Sequence, residues 1–313
     1  MAEALLHRRY RLLGRIGEGA MGTVHLAEDS RLPGRRCAIK ESRLPAGLDD
    51  DAARSLRASF LGEAAILAQL DHPGLPKVSD HFEAEGRAWL VMDLISGQDL
   101  RAVLADALAR RRQLEHSQLL GWALAACDIL AYLAGQSPPI VHGDIKPANL
   151  KLTPDGQLKL VDFGLARGTT TTDGPTLTMV VAGGSRPYQP LEQYGDATAV
   201  DGRSDLYALG ATLYHLLTGK APPAAQDRFL HRQEMEPPRA LRPDLPASFE
   251  RAILSAMALH PDERPASAED LRRRLLSPEM PEPQAWTSAM QRNGGLILLV
   301  MTLLLAALVM SFG

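Results

Sequence analysis

Eight residues, His142-Gly143-Asp144-Ile145-Lys146-Pro147-Ala148-Asn149, precede Asp162-Phe163-Gly164, whose aspartate lies thirteen positions past Asn149. They offer a carboxylate, an ammonium, an amide and a second carboxylate. Metal-assisted phosphoryl transfer needs those groups: a base for the attacking hydroxyl, a cation for the moving phosphoryl group, and oxygen ligands for the metal. The bland alternative is an ordinary polar turn, which would not require six specified positions at this spacing and a second motif at this distance.

Upstream, Gly17, Gly19 and Gly22 form Gly-x-Gly-x-x-Gly. Glycines let backbone amides approach phosphates without obstruction by Cβ. Taken alone the motif is weak, and a flexible turn explains it as well. A dinucleotide-binding fold is a second rival, since Glu41 lies about the right distance downstream for a ribose ligand. That fold needs a helix directly after the glycines, whereas Thr23 and Val24 favour a strand. A glycine-rich hairpin covering a nucleotide fits better. Lys40 closes the short apolar run Cys37-Ala38-Ile39; an isolated lysine at a strand end is usually solvated. Glu63 shares the apolar face of its predicted helix with Phe60 and Leu67. A carboxylate there is costly unless paired. Glu63 therefore either pairs with a cation or sits at a boundary position where it reaches water.

The elements that must hold these groups follow from periodicity. Residues 10–40 read as strands, with partial alternation over residues 23–27. Residues 49–70 read as a helix, with Leu56, Phe60, Ala64 and Leu67 on one face and acidic residues at its start. Residues 88–93 form another apolar strand, Ser96-Gly97 breaks the pattern, and helices dominate afterwards. Residues 119–133 and 206–217 are apolar on nearly every side and read as buried helices of a larger lobe. The second is too short, and carries His215, to span a membrane. Residues 150–152 and 158–161 flank Asp155-Gly156 and read as a hairpin. A hairpin brings its outer ends together, so Asn149 and Asp162 become neighbours and their oxygens can converge on metal.

These motifs resemble those of the protein kinases, closest to the bacterial Hanks-type serine/threonine kinases, many of which are membrane-anchored. Cys37-Ala38-Ile39-Lys40 is similar to the family's Val-Ala-Ile-Lys. Pro190-Leu191-Glu192 stands where the family usually has Ala-Pro-Glu. Asp205 resembles the aspartate that braces the catalytic loop, and Arg264 the arginine that pairs with Glu192. The resemblance spans residues 10–276 and implies an α+β, two-lobed fold. A β-rich N-lobe with one helix would cover residues 10–94, and a mainly helical C-lobe residues 95–276. ATP would lie between them, against Ile16, Gly17, Glu18, Gly19, Ala20, Met21, Gly22, Thr23, Val24, Ala38 and Lys40, with its adenine along Met92, Asp93, Leu94 and Ile95. Lys40, partnered by Glu63, would contact the α- and β-phosphates. Asp162 would ligate the magnesium bridging the phosphates and Asn149 a second ion, with manganese a substitute. Asp144 would accept the proton of the substrate hydroxyl, and Lys146 would neutralise charge on the γ-phosphoryl group. Lysine two positions after the base, together with Ser185, resembles serine/threonine rather than tyrosine kinases. The implied reaction is γ-phosphoryl transfer from Mg-ATP to protein serine or threonine. A pseudokinase, a nucleotide-binding scaffold without turnover, is the rival; its mark would be loss of Lys40, Asp144, Asn149 or Asp162, and all four are present.

One departure stands out. Gly143 replaces the arginine that in the family pairs with a phosphate on the activation segment. Residues 165–189 still carry Thr169, Thr170, Thr171, Thr172, Thr176 and Thr178. A flexible polar loop and an autophosphorylation cluster paired through Arg167 or Arg186 both remain open. Gly143 leads to the expectation that basal activity does not strictly require loop phosphorylation.

Bulk properties agree with this organisation. A chain of 313 residues can bury a substantial core, and a net charge of -3 gives no polybasic surface for nucleic acid. Cys37 and Cys127 lack metal-ligand spacing and suit buried, reduced thiols. Residues 1–10 do not read as a signal peptide, because His7, Arg8 and Arg9 follow the apolar stretch. Residues 277–293 contain Pro278, Pro281 and Pro283 without an apolar period and read as a linker. Residues 294–313 carry no charged side chain. Helical at about 1.5 Å per residue, they are long enough to span the hydrocarbon core. The expectation is a single C-terminal transmembrane helix in the cell membrane with the kinase domain cytoplasmic. Arg292 on the kinase side agrees with the positive-inside rule. No external sensor domain is expected, which leaves lateral partners, a homodimer formed in the membrane, or cytoplasmic contacts as regulators. A soluble kinase whose last helix packs in the core is the alternative.

Overall fold

Alternation in two short segments organises the first lobe. The computed structural model describes residues 5–19, 22–42, 50–162, 167–168, 186–194, 200–231 and 233–277. Strands β1 (Tyr10–Gly19), β2 (Gly22–Asp29), β3 (Arg36–Ser42), β4 (Val78–Ala84) and β5 (Arg87–Asp93) form an antiparallel sheet in the order β1-β2-β3-β5-β4. Side chains alternate across a strand. Ala38, Leu90 and Met92 therefore join the main core, while Cys37, Ile39, Trp89 and Val91 join a smaller cluster on the other face. Helix α1 (Asp50–Leu67) covers the main-core side with Phe60, Ala64 and Leu67 buried, and Asp50 and Asp51 sit in its first turn. The opposite face is closed by the chain before β1. Arg9 donates to both oxygens of Asp29 at 2.9 and 2.7 Å, Tyr10 Oη donates to Asp80 at 2.7 Å, and the His7 ring stacks on Phe82. The Arg9 guanidinium holds the Asp29 carboxyl below the usual carboxylate range.

The second lobe is mainly helical. Asp99, in the short strand β6 (Gln98–Asp99), caps α2 (Leu100–Ala109) by accepting from Ala102 N–H at 2.8 Å. Helix α3 (His116–Ala134) is long and apolar enough to cross a membrane by composition, yet it packs against later helices with Leu119, Ala123, Cys127, Leu130 and Leu133 buried. Beyond it come the short strands β7 (Ile140–Val141), β8 (Leu150–Leu152), β9 (Leu158–Leu160) and β10 (Arg167–Gly168). Next is α4 (Gly202–Thr218), which is buried on nearly every side and ends at Gly219, whose φ of 71° is the left-handed turn glycine supplies. Helices α5 (Ala225–Leu230), α6 (Pro238–Leu241), α7 (Ala247–Ala256) and α8 (Ala268–Leu276) complete the lobe, with α8 lying on α3 and α7.

The two-lobed α+β architecture agrees with the sequence reading. Both cysteines are buried free thiols, with burial pushing Cys37 up to about 11 and Cys127 up to about 12. Strand β4 escaped that reading, because Asp80, His81 and Glu83 interrupt any apolar signal at the sheet edge. The linker and span over residues 278–313 lie outside the described residues.

Candidate active site

Asp205, on the buried helix α4, anchors the loop over residues 142–149. Its oxygens accept N–H bonds from His142 at 2.7 Å and from Gly143 at 2.8 Å. Burial pushes the Asp205 carboxyl up to about 7, against the downward pull of those two N–H groups. His142 is fully buried, and burial lowers its pKa to about 4, so the ring is neutral near pH 7. Its Nδ1 accepts from the Asp144 N–H at 3.3 Å.

Asp144 is oriented by its own loop. Lys146 Nζ donates to both carboxylate oxygens, at 3.0 and 2.7 Å. Asn149 Nδ2 donates to the Asp144 carbonyl at 2.8 Å and to Oδ2 at 3.0 Å. The three residues sequence reasoning placed on one loop are thus brought within hydrogen-bond reach. The arrangement holds the Asp144 side chain between the Lys146 and Asn149 donors.

The predicted hairpin is present as β8 and β9. Leu150 pairs with Leu160, and Gly156, at a φ of 81°, turns the chain. Val161 N–H donates to the Asn149 carbonyl at 2.8 Å, which makes Asn149 and Asp162 near neighbours as their ends require. Asp162 adopts a φ of 61°, uncommon for a non-glycine residue, and such backbone concentrates at functional sites. Its Oδ1 accepts from Lys40 Nζ at 2.5 Å. This ion pair joins the two lobes, because β3 carries Lys40 and the hairpin carries Asp162. Burial raises the Asp162 pKa, but attraction and hydrogen bonding from Lys40 outweigh it and hold the carboxyl below its ordinary value.

The nucleotide-facing candidates share one sheet. Gly17 pairs with Val24, Glu18 with Thr23, Val24 with Lys40, and Ala38 with Met92. A small cavity beside Lys40 is lined by Leu67, Leu70, Val78, Leu90 and Met92. Met92 is buried, and Asp93 and Leu94 are half-buried where the chain leaves β5 for the larger lobe. The dinucleotide-fold rival is excluded, since the strand β2 and not a helix follows the glycines. Glu41 is engaged elsewhere, by His25 at 3.1 Å and by Arg87. Ala20, Met21, Phe163, Gly164, residues 169–185 and the Glu63 side chain lie outside the described residues, and with them the expected Lys40–Glu63 pair.

The donor set suits magnesium. Asn149 commits its amide nitrogen to Asp144 and keeps its oxygen as an acceptor; Asp162 supplies a carboxylate. No group of three His, Cys, Asp or Glu suited to a metal occurs among the described residues. Magnesium usually retains waters and phosphate ligands and needs only one or two protein oxygens, so a sparse donor set is what it requires.

The base of the site is braced by Arg264, which donates to Glu192 Oε1 at 2.6 Å and Oε2 at 3.0 Å. Ser204 Oγ adds a bond to Glu192 at 2.7 Å. Two contacts escaped sequence reasoning. Tyr188 Oη meets His215 Nδ1 at 2.6 Å, and Gln193 Nε2 donates to the Gly143 carbonyl at 3.2 Å. Neither has a local sequence signal, because each joins distant segments.

The protein kinase domain family matches residues 10–292 of the chain. The chain belongs to the protein kinase family. It is 36% identical over 269 residues to the serine/threonine-protein kinase PknA of Mycobacterium tuberculosis, covering 83% of this chain and 58% of that one. It is 34% identical over 275 residues to a probable serine/threonine-protein kinase of Streptomyces coelicolor, covering 84% of this chain and 39% of that one. The chain therefore spans roughly two-fifths to three-fifths of the length of these curated relatives. Among solved structures, the PknI kinase domain of M. tuberculosis is similar with a TM-score of 0.67 and 28% identity, over 88% of this chain and 97% of that one. The apo form of PpkA-294 is similar with a TM-score of 0.68 and 27% identity, over 85% and 96%. In this kinase domain, membership agrees with the two lobes and with the loop that places Asp144, Lys146 and Asn149 together.

Proposed function

We propose that residues 10–276 form a protein kinase domain that transfers the γ-phosphoryl group of Mg-ATP to serine or threonine hydroxyls of proteins. The observation that carries this reading is the set of four hydrogen bonds from Lys146 and Asn149 that orient Asp144. Asp144 accepts the proton of the attacking hydroxyl. Lys146, 2.7 Å from it, opposes negative charge that develops on the moving group. Lys40 and residues 16–24 hold the phosphates, Glu63 partners Lys40, and residues 92–95 receive the adenine. Asp162 and Asn149 would hold magnesium, or manganese in its place, which supplies neutralisation of phosphate charge when bound. Positioning and electrostatics do most of the catalytic work in such transfers.

Label transfer from γ-labelled ATP tests the reading. Wild-type chain should label itself or a basic protein substrate, and Asp144→Asn should lower the rate by about 10²–10⁴-fold. Nucleotide binding without any transfer by the wild type would support the scaffold alternative and sink the kinase reading. A phosphatase-treated sample in the same assay should keep its basal rate, as Gly143 suggests. Complete loss, restored by rephosphorylation, would show that the loop phosphates are required.

Residues 277–293 are proposed as a tether and residues 294–313 as a membrane helix, on the support of their composition alone. The kinase domain would then be cytoplasmic at the cell membrane, where ATP is available and where a homodimer could form laterally. After detergent-free lysis the full chain should sediment with membranes; a soluble full-length pool would favour the packed-helix alternative.

A further inference from the structure

We infer that Gln193 is a positioning residue for the catalytic loop, holding the peptide between Gly143 and Asp144 so that the Asp144 carboxylate faces the substrate hydroxyl. The inference rests on the kinase reading above and concerns a residue that reading does not use.

The geometry is a relay from the buried base of the domain to the reactive loop. Glu192 is fixed by two bonds from Arg264 and one from Ser204. Gln193 follows it in the chain, and its backbone is held in the same short turn by N–H donation to the Pro190 carbonyl at 3.2 Å. Its side chain is thereby aimed at Gly143. The Gly143 N–H is taken by Asp205 at 2.8 Å, and its carbonyl accepts from Gln193 at 3.2 Å. On the other edge of the Gly143–Asp144 peptide, the Asp144 N–H donates to His142.

Glycine makes such a hold necessary. Gly143 has a φ of 76°, and glycine moves between left- and right-handed regions with little penalty. A rotating peptide at this place would swing the next Cα, and with it the carboxylate of Asp144. The Gln193 amide opposes that rotation from outside the loop. Among the described residues, a Cβ at position 143 would meet only Gln193 Nε2, at 4.0 Å, so this side chain faces the glycine.

The experiment uses full-length chain with Mg-ATP and a protein substrate. Gln193→Ala removes the donor, Gln193→Glu replaces it with an acceptor opposite a carbonyl, and Gln193→Lys restores a donor. Losing one such bond should lower kcat about three- to tenfold in Gln193→Ala, and at least as much in Gln193→Glu. KM for ATP should move less than about twofold, and Gln193→Lys should recover most of the rate, since donation to the carbonyl is what counts. Tm should be unchanged in all three, because Gln193 is only half-buried. Amide exchange over residues 143–146 in nucleotide-free chain should speed up in the first two variants and not in the third. Unchanged kcat in Gln193→Ala and Gln193→Glu overturns the inference, whatever the exchange shows. So does a kcat loss that tracks a fall in Tm and is not recovered by Gln193→Lys. If the wild type itself transfers nothing, the kinase reading fails, and the exchange data alone decide whether Gln193 holds the loop.

Discussion

Asp162→Asn should lower phosphoryl transfer by at least about 10²–10³-fold while leaving the fold intact. The substitution keeps size and shape and removes the charge that Lys40 and magnesium would both meet. Its backbone consequence is small for a specific reason. Asp162 sits at a φ of 61°, a region that asparagine and aspartate enter more readily than other non-glycine residues. Asp162→Ala is the contrasting control, since it adds backbone strain of about 1–2 kcal/mol to the lost charge. The pair of variants separates chemistry from stability: rates should fall in both, Tm chiefly in the second. A rate for Asp162→Asn within tenfold of wild type would remove Asp162 from the metal site. The pH direction follows from the depressed carboxyl. What the ionised Asp162 contributes to stability is present above its unfolded value of 3.8 and is lost as pH falls through its lower folded value. The bridge between the lobes is therefore intact at neutral pH.

Arg264→Ala should destabilise the domain by about 3–5 kcal/mol, because it leaves the Glu192 carboxylate buried without its partner. The Arg264 side chain is fully buried and Glu192 is 7% exposed. Beyond Glu192, the guanidinium donates to the carbonyls of Ala258 at 2.9 Å, Leu259 at 3.0 Å and Arg203 at 3.1 Å. All five of its N–H groups are thereby used, and the group lies over the Tyr207 ring at 5.0 Å. Lysine offers three donors from one point and cannot reproduce this fork, so Arg264→Lys should behave much more like alanine than like wild type. In a domain of this size the loss corresponds to a fall in Tm on the order of 10 °C. Differential scanning calorimetry of both variants measures it, and a shift below about 2 °C for Arg264→Lys would show that the fork is not what the site needs. Burial alone would raise the Glu192 pKa, but the bonds from Arg264 and Ser204 bring it below its usual value. The stability owed to the pair is whole above the unfolded value of 4.5 and is lost as pH falls through the lower folded value.

The two variants probe different levels of one construction. Asp162 lies at the proposed metal site, where its part-exposed carboxylate meets Lys40. Arg264 acts beneath it, holding Glu192, the residue next to Gln193, and so the segment that reaches the catalytic loop.

Much of this site could be read along the chain. The short apolar run Cys37-Ala38-Ile39 placed Lys40 on a strand, and Asp155-Gly156 predicted the hairpin that makes Asn149 and Asp162 neighbours. The spacing of Asp144, Lys146 and Asn149 sufficed to put them on one loop, because their bonds close within five residues. Local geometry of this kind is set by backbone conformation and turn residues, which short sequences encode. Other features depend on packing between segments far apart. Strand β5 inserts between β3 and β4, a choice no single strand reveals. Lys40 meets Asp162 across 122 positions, and Gln193 meets Gly143 across 50. Residue types and their spacing along the chain thus determined which chemical groups are available and on which local elements they ride. Only the burial of both lobes against their shared core decided which groups face one another, since cooperative packing of distant apolar surfaces, and no local rule, sets those distances.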